Sequence, residues 1–446
     1  MELSGKKVLL VGLARSGEAL AVFCKARGAD VTVTDIASEE ALGDRVRRMR
    51  ELSVTLTLGP HREEVFTSAD LIVVSPGVPH TLAVLDAARK KGIPVIGEVE
   101  LASRFITAPL VAVSGTNGKS TVVTLLGVIF QNAGLRVFTG GNLGNPLINA
   151  AAEDGSYDVV VAEISSFQLD TIEAFRPKVA VLLNVTEDHL DRYPDMDAYA
   201  ESKARLFENQ EASDFAVLNG NDSYCRGMRG GIAAKKLYFT GRQGLPGADI
   251  MPGEINVDLG SEKFSLSLEK MKLVGTHNME NVAASAIAAR LAGAPVAAIQ
   301  KSVDEFAGLS HRIEFVRERN GVSYYDDSKA TNVDAVVRAL EGFPRPVIVI
   351  MGGRDKESDF GILVPMVRKH AALVVVTGEA AEKIAGSLSD HVEIERAKTM
   401  KDAVVLAASR ALPGWSVLLS PGCASFDAYR NYAERGDDFK NAVMAL

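Results

Sequence analysis

The clearest chemical signal in the sequence is a glycine-rich loop between the apolar run LVAVS and the helix-like run VVTLLGVIF. A strand, a turn and a helix N-terminus are predicted there in that order, and free amides at a helix N-terminus bind phosphate. Lys119 adds a positive charge and the Ser120 hydroxyl can contact Mg²⁺. The loop is a shortened variant of G-x-x-x-x-G-K-[ST], because Val113 stands where the first glycine would be. We predict ATP binding by Gly115, Thr116, Asn117, Gly118, Lys119, Ser120 and Thr121.

Three further side chains with metal or acid–base chemistry follow in the same region. Glu163 ends the apolar run DVVVAE, and His189 follows the run VAVLLNVT. Ligands of open α/β sheets gather at the carboxyl ends of the strands, so both side chains are predicted to face the phosphate loop. Glu163 is a candidate Mg²⁺ ligand, whereas His189 alone fits a structural imidazole equally well. Lys203, in DAYAESKARLFENQ, is by pattern alone typical of a solvated helix face.

A second glycine turn lies near the start of the chain. Gly12 and Gly17 follow the run VLLV, and Asp35 ends the next apolar run. Ala14 stands where a dinucleotide fingerprint has its second glycine, which disfavours NAD. Another nucleotide diphosphate can still bind near Arg15 and Ser16, and the alternative is a turn that only needs small residues.

The elements that must position these residues form three successive α/β units. A length of 446 residues predicts about three domains. Short apolar runs alternate with helical stretches throughout, which is typical of open, mostly parallel sheets flanked by helices. We predict domains at 1–97, 98–308 and 309–446, the first and third Rossmann-like and the second of phosphate-loop type. The glycine- and proline-rich stretch 241–254 is predicted to be a surface excursion of the second domain.

Composition excludes several functional classes. The net charge of −8 argues against a general nucleic-acid or anionic-membrane surface. Three scattered cysteines suggest neither a disulfide framework nor a zinc site, and they fit a reducing cytoplasm. No window approaches the roughly 18 apolar residues of a membrane span, and the N-terminal run, interrupted by Arg15 and Glu18, is no export signal. We expect a cytoplasmic protein with no membrane insertion.

Nearly the whole chain resembles the Mur ligases. The motifs that carry the resemblance are, in order, SGTNGKST, AEISSFQL, NVTEDHLDRYP, SKARLFEN, HNMEN, LSHRIEF, DDSKATN, GGRDKESDF and SPGCASFD. VLLVGLARSG, EISSFQL and SPGCASFDAYRNYAERGDDF are similar to the family members that add D-glutamate to UDP-N-acetylmuramoyl-L-alanine. The resemblance implies that the first domain holds the uridine diphosphate, the second ATP and Mg²⁺, and the third the incoming amino acid.

The resemblance also implies a reaction. ATP phosphorylates the terminal carboxylate of the acceptor, the D-glutamate amine attacks the acyl phosphate, and the tetrahedral intermediate collapses to an amide, with ADP and phosphate released. Lys119, His189 and Lys203 are the implied catalytic residues. Ser120 and Glu163 are the implied ligands of one Mg²⁺, and His189 and Lys203 of a second. Because an ammonium cannot bind a cation, Lys203 is implied to be carbamylated by CO₂.

The remaining implied contacts fall into three groups. On the ATP side they are Asn278, Asn281, Arg312, Asp327 and Lys329. The D-glutamate contacts are Thr331, Lys356, Ser425 and Tyr432. The contacts of the uridine-diphosphate substrate are Arg15, Ser16, Asp35, Ile36, Ser75, Gly77, Asn142 and Gln168, and Tyr193 and Tyr199 fall at acceptor or metal-site positions.

Alternative functions remain open on the sequence. Within the superfamily they are folylpolyglutamate synthesis and addition of the third peptide residue, although the D-N-P-R-type segment of third-residue ligases is absent. From other classes they are a nicotinamide-dependent dehydrogenase and a non-catalytic nucleotide-binding regulator. The protein is expected to act as a monomer whose third domain closes on hinges near residues 97 and 308.

Overall fold

The computed structural model describes residues 1–142, 144–190, 192–273, 275–343 and 346–446, with Arg229 described by its backbone alone. Three open sheets follow one another along the chain, and each is covered by helices. The predicted α/β class with mostly parallel open sheets is therefore confirmed.

The first sheet has five parallel strands in the order β3-β2-β1-β4-β5. Its central strands are almost wholly apolar because helices cover both faces. The strands are β1 (Lys7–Val11), β2 (Asp30–Asp35), β3 (Thr55–Leu58), β4 (Leu71–Val74) and β5 (Val95–Gly97). The helices are α1 (Arg15–Ala26), α2 (Glu39–Leu42), α3 (Asp44–Glu51), α4 (Glu63–Thr67), α5 (Ala83–Lys90) and, after β5, α6 (Glu98–Ser103).

The second sheet has nine strands in the order β14-β13-β12-β11-β10-β9-β6-β8-β7. The strands are β6 (Leu110–Ser114), β7 (Val137–Gly141), β8 (Val159–Glu163), β9 (Val179–Leu182), β10 (Phe215–Asn219), β11 (Lys235–Thr240), β12 (Gly247–Met251), β13 (Glu254–Asp258) and β14 (Lys263–Ser267). The helices are α7 (Lys119–Asn132), α8 (Ile148–Ala152), α9 (Ser166–Leu169), α10 (Met196–Ala204), α11 (Ser223–Gly227), α12 (Thr276–Leu291) and α13 (Val296–Glu305), with 3-10 turns at Arg205–Phe207 and Met228–Gly230.

The stretch 241–254 is not the surface excursion that its glycines and prolines predicted. It contains β12 and begins β13, which pair antiparallel with each other and extend the otherwise parallel sheet through β14. Gly247 has φ +153°, and a Cβ there would lie 1.8 Å from the Tyr238 carbonyl oxygen. The glycine therefore permits the close approach of β12 to β11 and does not mark a loop.

The third sheet has six strands in the order β15-β16-β20-β17-β18-β19, parallel except for the β15–β16 pair. The strands are β15 (Glu314–Arg319), β16 (Val322–Asp326), β17 (Val347–Gly352), β18 (Ala371–Thr377), β19 (Glu393–Arg396) and β20 (Ser416–Leu419). The helices are α14 (Val333–Glu341), α15 (Val364–His370), α16 (Ala381–Leu388), α17 (Met400–Arg410) and α18 (Tyr432–Ala445), with a 3-10 turn at Phe360–Leu363.

Helix α6 joins the first sheet to the second. Its Glu100 is fully buried and accepts backbone N–H groups from Glu173, Ala174 and Phe175 at 2.9–3.0 Å. Glu98, at the first position of α6, accepts the Ile148 N–H at 2.7 Å and so holds the start of α8. The junction near residue 97 is thus packed against the second sheet.

Among the residues that the structure describes, none of the helices combines the length and apolar composition needed to cross a lipid bilayer.

Candidate active site

The loop between β6 and α7 has the backbone of a phosphate cradle. Gly115 and Gly118 have φ of +147° and +88°, which only glycine adopts without strain. A Cβ on Gly118 would lie 2.5 Å from the Asn281 side-chain oxygen, so the space above the loop also excludes larger residues. The Lys119 ammonium donates to the Gly115 and Thr116 carbonyl oxygens at 2.8 Å, which holds the cation at the mouth of the loop.

The segment that follows β9 is hydrogen-bonded to the phosphate loop. Asn184 accepts the Asn117 N–H through its side chain at 2.8 Å and the Thr116 N–H through its carbonyl oxygen at 3.0 Å. Thr116 in turn accepts the Thr186 N–H at 3.1 Å through its hydroxyl oxygen. Sequence reasoning missed Asn184 and Thr186, although both lie in the quoted motif NVTEDH next to His189.

Ser120 and Glu163 meet at the start of α7. The Ser120 hydroxyl donates to one Glu163 carboxylate oxygen at 2.8 Å, and the Asn142 side-chain amide donates to the other at 2.8 Å. Glu163 is only 3% exposed. A hydroxyl beside a buried carboxylate is an oxygen donor set that suits Mg²⁺, so the residues fit a hard divalent cation.

Lys203 is buried in the centre of the site. It is 1% exposed, donates to the Gly115 carbonyl oxygen at 3.1 Å, and lies 4.4 Å above the Tyr199 ring. Burial, reinforced by the charge of Lys119, lowers the pKa of Lys203 well below its usual range. The prediction of a solvated helix face from pattern alone is therefore wrong: the amine is held in an environment that favours its neutral form.

His189 also contacts Tyr199, with the two ring centroids 6.3 Å apart and the ring planes at 68°. Burial lowers the pKa of this imidazole, as do the charges of Lys356 and Lys119, although Asp188 opposes them. A neutral imidazole is the form that binds metal ions. The backbone at His189 has φ +57°, a left-handed value that is strained for a residue other than glycine.

A cleft between the second and third sheets is lined by half of the predicted ATP residues. Its walls come from the phosphate loop, α12, the segment around β16 and α14. The predicted residues in its lining are Asn117, Gly118, Asn281, Arg312, Asp327 and Lys329. The lining residues that sequence reasoning missed include His277, Glu280 and Arg338.

Two titratable groups of the third sheet have shifted pKa values in this cleft. Burial raises the pKa of Asp327 to about 7, against the opposing charge of Arg312. Burial and Arg312 lower the pKa of Lys329 to about 8. The Lys329 amine lies 4.0 Å above the Tyr432 ring, so the edge of the nucleotide cleft adjoins the start of α18.

The residues predicted to bind D-glutamate come from three loops at the carboxyl edge of the third sheet. Lys356 follows β17 and lies 3.6 Å from Asp188 of the second sheet. Ser425 follows β20 and is buried, and Tyr432 begins α18 beside Lys329. Thr331 is half-buried just before α14. Within the predicted set, Lys356 thus contacts Asp188, and Tyr432 contacts Lys329 of the predicted ATP residues.

The predicted uridine residues surround the first glycine turn. Both Asp35 carboxylate oxygens accept backbone N–H groups, from Leu13 at 2.7 Å and from Ala37 at 2.8 Å. Asp35 therefore holds the turn itself. Ile36 is 74% exposed beside it, and the Ser75 hydroxyl donates to the Gly12 carbonyl oxygen at 3.2 Å.

Two of the predicted uridine residues contact the second domain. The Arg15 guanidinium, next to Ser16 in the first turn of α1, donates to the Gly144 carbonyl oxygen. Arg192 donates to the Gly77 carbonyl oxygen at 3.5 Å.

Gln168 and Tyr193 make hydrogen bonds at the two ends of α9. The Gln168 side-chain oxygen accepts the Ser165 N–H at 2.9 Å, closing a capping box on α9. Tyr193 donates to Asp170 at 2.8 Å. Burial raises the pKa of the Tyr193 hydroxyl to about 12, so it stays a donor.

Comparison with known proteins gives family matches in all three parts of the chain. Residues 6–97 match the Mur ligase MurD-like N-terminal domain, residues 113–289 the Mur ligase middle domain, and residues 311–423 the Mur ligase glutamate ligase domain. A curated relative from Desulfatibacillum aliphaticivorans, named UDP-N-acetylmuramoylalanine–D-glutamate ligase, is 59% identical over 100% of both chains. The chain belongs to the Mur ligases.

Further comparisons agree with this family. A relative of the same name from Desulfosudis oleivorans is 51% identical over 100% of this chain and 98% of its own. The crystal structure of a MurF ligase from Thermotoga maritima in complex with ADP is 16% identical, covers 100% of this chain and 96% of that one, and has a TM-score of 0.61. That structure shares the fold of this Mur ligase.

In this Mur ligase, eight of the predicted residues form two groups that face each other. Lys119, Ser120, Glu163, His189 and Lys203 surround the start of α7, while Arg312, Asp327 and Lys329 face it across the cleft. Asn278 is buried behind the cleft lining, where Asn281 donates to its side-chain oxygen at 3.3 Å. Thr121 lies one turn into α7 and is buried.

Proposed function

We propose that this Mur ligase joins D-glutamate to UDP-N-acetylmuramoyl-L-alanine at the expense of ATP, in the synthesis of peptidoglycan precursors. The observation that carries the proposal is similarity over the full length to relatives that bear the name of that activity. We assign the acceptor to residues 1–97, ATP to 98–308 and the amino acid to 309–446. The contact of Lys119 with a loop of phosphate-binding geometry supports ATP as the energy source.

The first step brings two anions together. The terminal carboxylate of the acceptor attacks the γ-phosphorus of ATP, the bond to the β-phosphate oxygen breaks, and ADP leaves. Lys119 and the amides of the phosphate loop offset the charge on the triphosphate, and Arg312 approaches from the third domain. Asn281 of α12 lies in the wall predicted to contact the adenine, and Asn278 lies behind it and accepts a hydrogen bond from it.

Magnesium fits the acidic side of the loop. We propose that Ser120 and Glu163 hold one ion and that His189 and carbamylated Lys203 hold a second. Bound there, Mg²⁺ would lower the repulsion between carboxylate and phosphate. Glu163 is already oriented for this by Asn142.

We propose that Lys203 is carbamylated by CO₂, as the family resemblance implies, and the burial of its amine supports this proposal. Its nitrogen lone pair forms a bond to the carbon of CO₂, one N–H proton passes to solvent, and an anionic carbamate results. The lowered pKa of Lys203 supplies the neutral amine that this addition requires. The carbamate oxygens then replace a cation by an anionic ligand beside His189.

The second step forms the amide. The deprotonated amine of D-glutamate attacks the acyl carbon, and the tetrahedral intermediate expels inorganic phosphate. We propose that Lys356, Thr331, Ser425 and Tyr432 bind the D-glutamate carboxylates and that Lys329 lies at the same junction. To bind a D-glutamate carboxylate, Lys356 must break its ion pair with Asp188. We also propose a monomer in the cytoplasm, where the three free, buried cysteines would stay reduced.

A substrate-matrix assay on the purified protein tests the proposal. ATP, Mg²⁺ and UDP-N-acetylmuramoyl-L-alanine are supplied with D-glutamate, L-glutamate, or no amino acid, and phosphate release and product mass are followed. We expect phosphate release and a product heavier by one glutamyl residue only with D-glutamate. Turnover of a folate with L-glutamate, or binding of ATP with no turnover under any condition, would overturn the proposal in favour of a folylpolyglutamate synthase or a nucleotide-binding regulator.

A further inference from the structure

One carboxylate of the third domain reaches directly into the phosphate loop. Asp334, at the second position of α14, accepts the Asn117 side-chain amide at 2.7 Å and the Thr186 hydroxyl at 3.0 Å through the same oxygen. Arg338, one turn later on α14, donates to that oxygen at 3.2 Å. Asn117 and Thr186 belong to the second domain, so the contact spans the cleft.

The two donors lie on the two segments that hold the loop in shape. Asn117 is a loop residue whose backbone makes two hydrogen bonds to the Asn184 side chain. Its N–H donates to the side-chain oxygen at 2.8 Å, and its carbonyl oxygen accepts from the side-chain amide at 3.2 Å. Thr186 is tied to Thr116 through hydrogen bonds in both directions, each of 3.1 Å. Asp334 therefore contacts, at one atom, both parts of the framework that sets the backbone of the loop.

A second contact between the two domains, in which the second domain supplies the carboxylate, holds the N-terminus of α14. Asn332 caps α14 by accepting the Ala335 N–H at 2.9 Å, and it donates to Asp188 at 3.0 Å. Asp188 also lies 3.6 Å from Lys356. Each domain thus offers one carboxylate to donors of the other, and the position of α14 is linked both to the loop and to the residue proposed to bind D-glutamate.

We propose that Asp334 is a positioning residue that holds the phosphate loop in its working shape only while the third domain is closed. Phosphoryl transfer is then favoured when Lys356 is also at the site, which limits loss of ATP and of the acyl phosphate to water. The inference rests on the proposed function and adds to it a coupling between domain closure and the loop. Asp334 acts through Asn117 and Thr186 and does not contact the reacting groups.

Kinetics of matched variants test the coupling. Asp334→Ala is expected to lower kcat about 10- to 100-fold, because a hydrogen bond to a charged group is lost, while KM for the acceptor stays within about twofold. Asp334→Asn, which keeps an acceptor oxygen, should recover part of kcat. Asp402→Ala, which removes an exposed first-turn carboxylate from α17, should leave kcat unchanged and controls for the helix dipole.

A double-mutant cycle tests whether Asp334 acts through Asn117. The combined loss in Asn117→Ala with Asp334→Ala should be smaller than the sum of the two single losses, since both substitutions remove the Asn117–Asp334 contact and only Asp334→Ala also removes the Thr186 contact. Strictly additive losses, an Asp334→Ala effect below about twofold, or an equal loss in Asp402→Ala would overturn the inference.

A measurement without turnover separates this inference from the proposed activity. With a nonhydrolysable ATP analogue bound, so that the third domain is closed, hydrogen exchange of the peptide covering residues 114–121 should be faster in Asp334→Ala than in wild type, with no change in Asp402→Ala. Unchanged exchange in Asp334→Ala contradicts the inference whatever the enzyme's substrates are. Lack of D-glutamate-dependent turnover in the wild type contradicts the proposed function and leaves the exchange result standing. Asp334→Asn serves for both readouts if the alanine variant does not fold.

Discussion

At the scale of single residues, Lys119 has the most direct consequence for activity. Its ammonium lies at the mouth of the loop, bonded to two loop carbonyl oxygens that a triphosphate would displace. Lys119→Ala is expected to lower ADP formation by about 10²-fold or more, since a charge-stabilising group is lost. ADP release by a coupled assay measures this, with the exposed Lys90→Ala as control. Turnover close to wild type would contradict the loop assignment.

Glu163 gives a separate test of the metal site. Glu163→Gln keeps the size of the side chain and removes its charge beside Ser120. We expect the Mg²⁺ concentration for half-maximal activity to rise and kcat to fall about 10²-fold. A Mg²⁺ titration of phosphate release measures both, with the exposed Glu153→Gln as control. An unchanged Mg²⁺ dependence would remove Glu163 from the metal site.

Lys203 gives a prediction with a definite sign in pH. Because burial lowers its pKa, Lys203 has a larger neutral fraction at a given pH than an exposed lysine, and that fraction decreases as the pH falls; a protonated amine cannot add CO₂. Activity in buffer stripped of CO₂ should therefore fall on acidification and recover when bicarbonate is restored at neutral pH. Phosphate release with and without bicarbonate checks this. Indifference to CO₂ at every pH would argue against the carbamate.

At the scale of elements, the carboxyl group of Glu98 joins α6 to α8, and its contribution to the free energy of unfolding depends on pH. Burial raises the pKa of Glu98 from 4.5 to about 7, and one of its oxygens is buried without a hydrogen-bond partner among the described atoms. Between those values the folded state binds more protons than the unfolded state. The stability that Glu98 contributes is therefore complete below about 4.5 and is lost as the pH rises through about 7.

Replacement of Glu98 by glutamine removes this titration and keeps an acceptor for the Ile148 N–H. The unfolding free energy of wild type relative to Glu98→Gln should fall by a few kcal/mol between about pH 5 and pH 8. Urea unfolding at both pH values measures the difference, and the exposed Glu64→Gln should show none. A constant difference would mean that Glu98 does not titrate in this range.

At the scale of the whole molecule, the third domain forms one wall of the nucleotide cleft and also carries the predicted amino-acid residues. The domains must therefore separate to admit substrates and close for reaction. We expect the radius of gyration from small-angle scattering to decrease when the acceptor and a nonhydrolysable ATP analogue are added together. Added nucleoside diphosphate sugar lacking the peptide serves as control. An unchanged scattering profile would exclude closure about the predicted hinges.

The local sequence was sufficient to predict the strand, glycine turn and helix of the phosphate loop and the mostly parallel α/β class of the sheets. Strand, glycine turn and helix are consecutive there, so their chemistry is readable from neighbours along the chain. The same reading failed for Lys203, whose helix has no apolar face to reveal that the lysine is buried, and for 241–254, where glycine served close strand pairing. In the first case the resemblance to a family, and not the pattern, indicated the role.

The sequence by itself thus determined the three α/β units, the phosphate loop and, through its motifs, the family. Only the tertiary structure decided which groups meet across the cleft, because contacts such as Asp334 with Asn117 join residues 217 positions apart. It also decided the directions in which the pKa values of Lys203, Asp327 and Lys329 shift, since a pKa depends on burial and on neighbouring charges that no local pattern encodes.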